Sequence, residues 1–267
     1  MRFGAMQGIL RRSGGPLFEA ARAAGFDGVE LGIGQGEGDP VFTAAGRAEV
    51  RAAAAATGLT IPSISLGVLN RFGFRGEDPA ERDRAAALIR ETIILAGELG
   101  ARVLLIPFFA DSELHTPEDR ARVVEGLQGV APDAARAGVV LALENTLSAA
   151  DNLALLAAVA SPAVQVYFDV SNATWWGHDS PAAIRRLGPA IAQIHFKDGR
   201  GGHSNAMLGH GHVDFPAVAR AIRDIGYGGW IVLESAAPRD PVDDARTNLA
   251  FARQCLDPSL LRQASRT

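Results

Sequence analysis

Lysine is nearly absent from this 267-residue sequence: Lys197 is the only one among 26 basic residues, the others being arginine. Cysteine is equally scarce. With Cys255 alone, an internal disulfide or a thiolate-rich metal cluster is excluded, and a small apolar residue on a helix is the expected role for it. The chain also lacks an apolar run of about 18 residues free of charge, and Met1 to Leu10 carries Arg2 without a long apolar core or a small-residue cleavage site. A soluble, cytoplasmic protein with no membrane partner is therefore expected. A basic excess is missing too, since 26 basic residues face 30 acidic ones for a net charge of −4, which argues against a nucleic-acid partner. What is abundant is apolar surface, 48% of residues, enough to fill one large core, and no linker or low-complexity break divides residues 1–267.

Short β-branched or apolar runs alternate with longer Ala- and Arg-rich amphipathic ones. Eight strands are expected at Phe3–Gln7, Gly28–Gly32, Ile61–Leu66, Arg102–Pro107, Val139–Glu144, Val164–Val170, Ile191–Lys197 and Trp230–Glu234. Between them, helix signals recur as a capping residue, an early proline and a closing glycine: Asp78 and Pro79 to Gly100, Thr116 and Pro117 to Gly138, Ser180 and Pro181 to Gly188, Asp214 and Pro216 to Gly226. Eight such units predict a (β/α)8 TIM barrel in one domain. A doubly wound sheet is the competing fold, but Met6-Gln7-Gly8-Ile9-Leu10 is not a phosphate-binding turn. The glycines at 32, 34, 36 and 38 come with Glu37 and Asp39 and no obvious helix start, so they read as a flexible loop at the barrel mouth.

In such a barrel the chemistry sits at the C-terminal strand ends. Strands five to eight each end in one ligand-type side chain: Glu144, Asp169, His195 and Glu234. Singly, each could be a cap, a solvated terminus or a satisfied core histidine. Together, three carboxylates in one mouth repel each other and call for a divalent cation. A mainly oxygen donor set suits Mn²⁺, Mg²⁺ or Co²⁺ and leaves positions open for substrate.

The same residues carry a family resemblance. "FEAARAAGFDGVELGI" at 18–33, "LALEN" at 141–145, "FDVSN" at 168–172, "IHFKD" at 194–198, and "LGHGHVDF" followed by "IGYGGWIVLES" are similar to the sugar-phosphate isomerase/epimerase superfamily with the xylose isomerase-like barrel. Within it the chain resembles the ketose 3-epimerases, including the L-xylulose- and L-ribulose-5-phosphate group. The resemblance implies that Glu144, Asp169, His195 and Glu234 bind one metal ion, with Glu144 and Glu234 as the acid/base pair. It departs from free-sugar epimerases at Asn172, where many of them have histidine, and at His210 and His212, where an acidic or polar residue is usual. The implied reaction is inversion at C3 of a ketose or ketose phosphate, one glutamate removing the proton and the other returning it while the metal stabilises the ene-diolate. The same apparatus would also suit aldose–ketose or hydroxypyruvate-type isomerisation, or dehydration of an inosose. An endonuclease IV-like repair enzyme is a distant alternative, and the acidic pI and absence of strand-end histidines in the first half disfavour it. A non-catalytic sugar-binding barrel would be expected to lack a ligand, and none is missing.

Further candidates lie on loops. Asn172, Lys197, Arg200 and His210 are candidate substrate contacts, and Arg71 and Arg75 are either phosphate ligands or solvated. Trp175 and Trp176, with Phe72, Phe74, Phe108 and Phe109, would wall the mouth or form a contact in a homo-oligomer. His115, His178 and His203 read as ordinary loop histidines. Lys197 lies two residues beyond His195, so both point to one side of the strand, placing the ammonium at the rim to pair with a carboxylate or hold a substrate oxygen.

Overall fold

The computed structural model describes residues 1–257. In chain order the elements are β1 (Arg2–Met6), α1 (Gln7–Leu10), α2 (Gly14–Ala24), β2 (Gly28–Gly32), α3 (Ala44–Thr57), β3 (Ser63–Ser65), α4 (Pro79–Leu99), β4 (Val103–Pro107), α5 (Pro117–Ala137) and β5 (Val140–Glu144). There follow α6 (Ala149–Val159), β6 (Val164–Asp169), α7 (Val170–Trp175), α8 (Ser180–Leu187), β7 (Ile191–Phe196), α9 (Phe215–Asp224), β8 (Trp230–Leu233) and α10 (Pro241–Leu256). The eight strands are parallel and close into a barrel in sequence order, β1 pairing with β8. This is the TIM barrel that the alternation of short and long runs predicts.

The helices begin and end for local reasons. Asp78 accepts from the Ala80 N–H ahead of Pro79, and Thr116 with Asp119 forms a reciprocal capping box ahead of Pro117. Gly100 and Gly138 close these helices in the left-handed region, at φ of 75° and 64°, where a side chain would add strain. Asp179 rather than Ser180 caps α8, its Oδ1 accepting from Ala182, while Ser180 turns inward to donate to the Val170 carbonyl. The glycine-rich segment after β2 is also better ordered than a flexible loop: two short turns, Gly36–Gly38 and Pro40–Phe42, lead into α3, which Thr43 caps by accepting from Gly46. The bound of β3 is shorter than expected, Ser63–Ser65, because Pro62 has no N–H to extend the ladder.

The apolar faces of the helices pack on the outer faces of the strands. Leu17, Phe18, Leu88, Ile89, Val123 and Leu127 are each at most 1% exposed, and burial of such a side chain contributes about 1.5–3 kcal/mol. Inside the barrel, a separate small cluster of Val103, Leu105, Ala142 and Tyr167 fills the lower part. The strand interior above that cluster is polar, and it carries the site. No helix among the described residues is long and apolar enough to cross a membrane.

Candidate active site

The parallel register sets Asp169 beside His195 across β6 and β7, and Glu144 ends β5 opposite Pro107 of β4. Glu234 follows β8 directly, its N–H bonded to the Phe196 carbonyl. One donor atom from each of Glu144, Asp169, His195 and Glu234 lies within 4.8 Å of the others. His195 Nδ1 is the centre of the group: 3.3 Å from Glu234 Oε2, 3.5 Å from Glu144 Oε1 and 3.9 Å from Asp169 Oδ2. Glu144, Asp169 and His195 are buried, whereas the Glu234 side chain is 28% exposed and marks the open side.

One buried atom in this group, His195 Nδ1, has no hydrogen-bond partner, while Asp169 Oδ2 has the Lys197 ammonium beside it at 3.2 Å. A buried polar atom left unpaired costs about 1–3 kcal/mol. That nitrogen lies 3.3–3.9 Å from three carboxylates, an arrangement a divalent cation would satisfy, so the residues present fit the metal inferred from their types.

Lys197 is buried rather than at an open rim, its Nζ 2.8 Å from Glu234 Oε2 and 3.2 Å from Asp169 Oδ2. The two glutamates feel opposite environments. Burial raises the pKa of Glu144; for Glu234 burial acts in the same sense, but Lys197 and His195 outweigh it and hold the carboxyl below its ordinary value. Divergent environments for two carboxyls in one group suit one to give and one to take a proton.

Residues 18–255 match the xylose isomerase-like TIM-barrel family. The chain belongs to that family. SgbU of Escherichia coli (strain K12), provisionally named an L-ribulose-5-phosphate 3-epimerase, is 33% identical over 232 residues, covering 80% of each chain. UlaE of Salmonella typhi, an L-ribulose-5-phosphate 3-epimerase, is 29% identical over 226 residues, covering 80% of this chain and 79% of the relative. Among solved structures, an L-ribulose 3-epimerase superposes with a TM-score of 0.82 at 24% identity, over 99% of this chain and 97% of that one, a likeness of fold.

Around this family's barrel mouth the other sequence candidates separate. Asn172 is buried at the start of α7. Its Nδ2 donates to Glu144 Oε1 at 3.2 Å and its backbone N–H to Asp169 Oδ1 at 2.6 Å, so it orients both carboxylates. Arg200 and His210 lie exposed on the loop after β7, the guanidinium donating to the His210 carbonyl. Arg75 is partly exposed, and its guanidinium pairs with Asp119 at 3.3 Å and donates to the Asp111 carbonyl. Arg71 likewise donates to the Gly34 carbonyl. Phe72, Phe74 and Phe108 are buried instead of walling an opening, and Phe74 sits so close over Gly126 of α5 that a Cβ there would lie 2.4 Å from its ring. Trp175 and Trp176 remain exposed.

His203 and His212, set aside or left without a role in the sequence, stand closer to the site. Trp175 stacks on His212 with centroids 5.9 Å apart, and Trp176 meets His203 edge-on at 5.7 Å. Ser171, within α7, donates to the His203 carbonyl and lies 3.1 Å from His212 Nε2. Burial lowers the His203 pKa and Lys197 lowers it further. An open cavity of about 260 Å³ beside Glu234 is lined by Met6, Arg11, Ser204 and Ser235 among others. The larger cavity, about 340 Å³, lies between α2 and α3, and its lining includes none of the four ligand-type residues. The residue the sequence reading missed altogether is Glu30 of β2, fully buried beneath His195. Its signal was present: a carboxylate in the middle of Gly28-Val29-Glu30-Leu31-Gly32 has no solvent to face if the strand is interior.

Proposed function

We propose that the protein is a divalent-metal-dependent 3-epimerase of ketoses or ketose phosphates. The relatives described above are named L-ribulose-5-phosphate 3-epimerases and the superposed structure an L-ribulose 3-epimerase, and this chain is an enzyme of the isomerase class. The observation that carries the reading is the convergence of Glu144, Asp169, His195 and Glu234 on one spot, with the unpartnered His195 Nδ1 among the three carboxylates. These four residues would hold one divalent cation, which supplies Lewis-acid stabilisation of the negative charge that develops on the substrate carbonyl oxygen.

The remaining work belongs to the side chains. Glu144 from β5 and Glu234 from the end of β8 both reach the ligand group, 3.5 and 3.3 Å from His195 Nδ1; a ketose held there would lose the C3 proton to one carboxylate and gain one from the other on the opposite face, inverting C3. Asn172 fixes Glu144, and Lys197 fixes Glu234 and Asp169. Trp175, Trp176, His203 and His212 form the side of the mouth that limits water. Arg11 lines the cavity next to Glu234 and offers a guanidinium to a substrate phosphate. A 5-phosphorylated pentulose is the first substrate to test, because the relatives by sequence are named for one.

Incubation of the enzyme with Mn²⁺ and pentulose phosphates in D2O is expected to place deuterium at C3 of both epimers, and EDTA to suppress it. Deuterium at C1 or C2 instead would replace this reading with aldose–ketose isomerisation, and loss of water from the substrate would replace it with dehydration. Lys197→Arg keeps the charge but puts a larger planar group into a buried space. Its kcat is expected to fall about 10–100-fold, the usual loss when a partner of a metal-binding side chain is changed; steady-state kinetics with saturating Mn²⁺ provide the check.

A further inference from the structure

Beneath the four candidate ligands lies a layer of polar side chains that the epimerase reading does not use. Glu30 in β2, Ser63 in β3, Tyr167 in β6 and Gln193 in β7 are each at most 1% exposed. Glu30 Oε1 meets His195 Nε2 at 2.9 Å, and Glu30 Oε2 accepts from the Ser63 and Tyr167 hydroxyls, both at 2.6 Å. Gln193 Nε2 donates to both hydroxyl oxygens at 2.7 Å. We propose that Glu30 is the positioning residue of the site: it holds the proton of His195 on Nε2 and thereby turns the lone pair of Nδ1 to the metal position. The proposal rests on the metal reading above.

Donor and acceptor roles place the hydrogens of this layer. An ionised carboxylate only accepts, so both hydroxyls on Oε2 must donate, and the nitrogen facing Oε1 must carry hydrogen. The hydroxyl oxygens then accept from the amide nitrogen of Gln193, which has two hydrogens for two partners. The polarity therefore runs one way from Gln193 to Glu30, and of the two neutral forms of the imidazole one fits: hydrogen at Nε2, lone pair at Nδ1. The reverse tautomer would set a nitrogen lone pair against the carboxylate at 2.9 Å and place a hydrogen where the three carboxylates converge. Tyr167 also limits rotation of the ring, its own ring lying 4.3 Å from the imidazole at 57°.

A purely structural role explains this layer poorly. Val103, Leu105 and Ala142 fill the same barrel interior with apolar side chains, and an ionised carboxylate taken from water costs several kcal/mol. Among the described partners of Glu30, which are Ser63, Tyr167 and His195, His195 is the one able to carry a positive charge. A buried carboxylate partnered to a metal-binding imidazole is the arrangement that fixes ring orientation and raises ligand basicity.

The test uses the metal alone. Calorimetric titration of Mn²⁺ into metal-free protein without substrate is expected to show binding in the wild type and about 10–100-fold weaker binding in Glu30→Gln. No binding to the wild type would remove the metal reading and this inference with it. Equal binding by a folded Glu30→Gln would overturn the inference and leave the metal reading standing. If Glu30→Gln does not fold, the wild type decides: nitrogen NMR of histidine-labelled, cadmium-loaded protein, with the His195 signal assigned by its loss in His195→Asn, is expected to show metal coupling at Nδ1 and hydrogen at Nε2. Coupling at Nε2 would overturn the inference.

Discussion

Glu144→Gln and Glu234→Gln are each expected to lower kcat for C3 inversion by about 10²–10⁴-fold, the range for loss of a general acid or base. Glutamine preserves shape but can neither take nor give the proton. At position 144 its carbonyl can still accept from Asn172 Nδ2, so Glu144→Gln should disturb the geometry little. At position 234 the change also takes a carboxylate from Lys197, leaving the buried ammonium with Asp169 at 3.2 Å, so Glu234→Gln should show the larger loss and a drop in metal affinity. Exchange separates the two roles. If each glutamate serves one face, each variant should still exchange the C3 proton of one epimer with D2O while failing to convert it to the other. Exchange of both epimers by both variants would mean that one residue serves both faces, and the two-glutamate scheme would be wrong.

The barrel was legible because its signals are local. Asp78-Pro79, Thr116-Pro117 and Asp214 mark helix starts through contacts within three residues, and the apolar runs of β4 to β8 have a length and composition that exclude helix. Glu144, Asp169, His195 and Glu234 were legible for a related reason: each ends a strand, and the fold brings strand ends together. The layer beneath them was not. Tyr167 and Gln193 lie two residues before Asp169 and His195 on the same strand faces, but their purpose depends on Glu30, 137 residues from Tyr167 and 165 from His195. Arg75 and Phe74 failed as mouth residues for the same reason, since their partners Asp119 and Gly126 come from α5 and no local pattern announces them. Ser180 lost its capping role to Asp179 by one residue, a choice made by the inward hydrogen bond to Val170.

Asp198→Ala is expected to loosen the loop that carries His203 and His212 and to cost about 3 kcal/mol or more, since hydrogen bonds to a charged group contribute about 1.5–3 kcal/mol each. Asp198 is fully buried just beyond β7, and its carboxylate accepts four backbone N–H groups. Oδ1 takes those of Gly199 at 2.9 Å and Val213 at 3.2 Å; Oδ2 takes those of Gly209 at 3.0 Å and Gly211 at 2.8 Å. The approach is so close that a Cβ on Gly211 would lie 2.1 Å from Oδ1 and 2.3 Å from the Gly199 carbonyl oxygen, so glycine there is required by space. One side chain thus gathers both ends of the loop. Alanine would strand four donors, and they can recover partners only if the loop opens to water. Opening would release His203 and His212 from Ser171 and from the two tryptophans, so KM should rise along with the loss of stability. Asp198→Asn keeps one accepting oxygen and turns an amide N–H₂ toward the other pair of donors, so its effect should fall between those of wild type and alanine. Thermal melting measures the first consequence, at about 2–4 °C per kcal/mol for a domain of this size. Limited proteolysis within residues 199–213 measures the second, and resistance in Asp198→Ala equal to that of the wild type would show that the loop is held by other contacts.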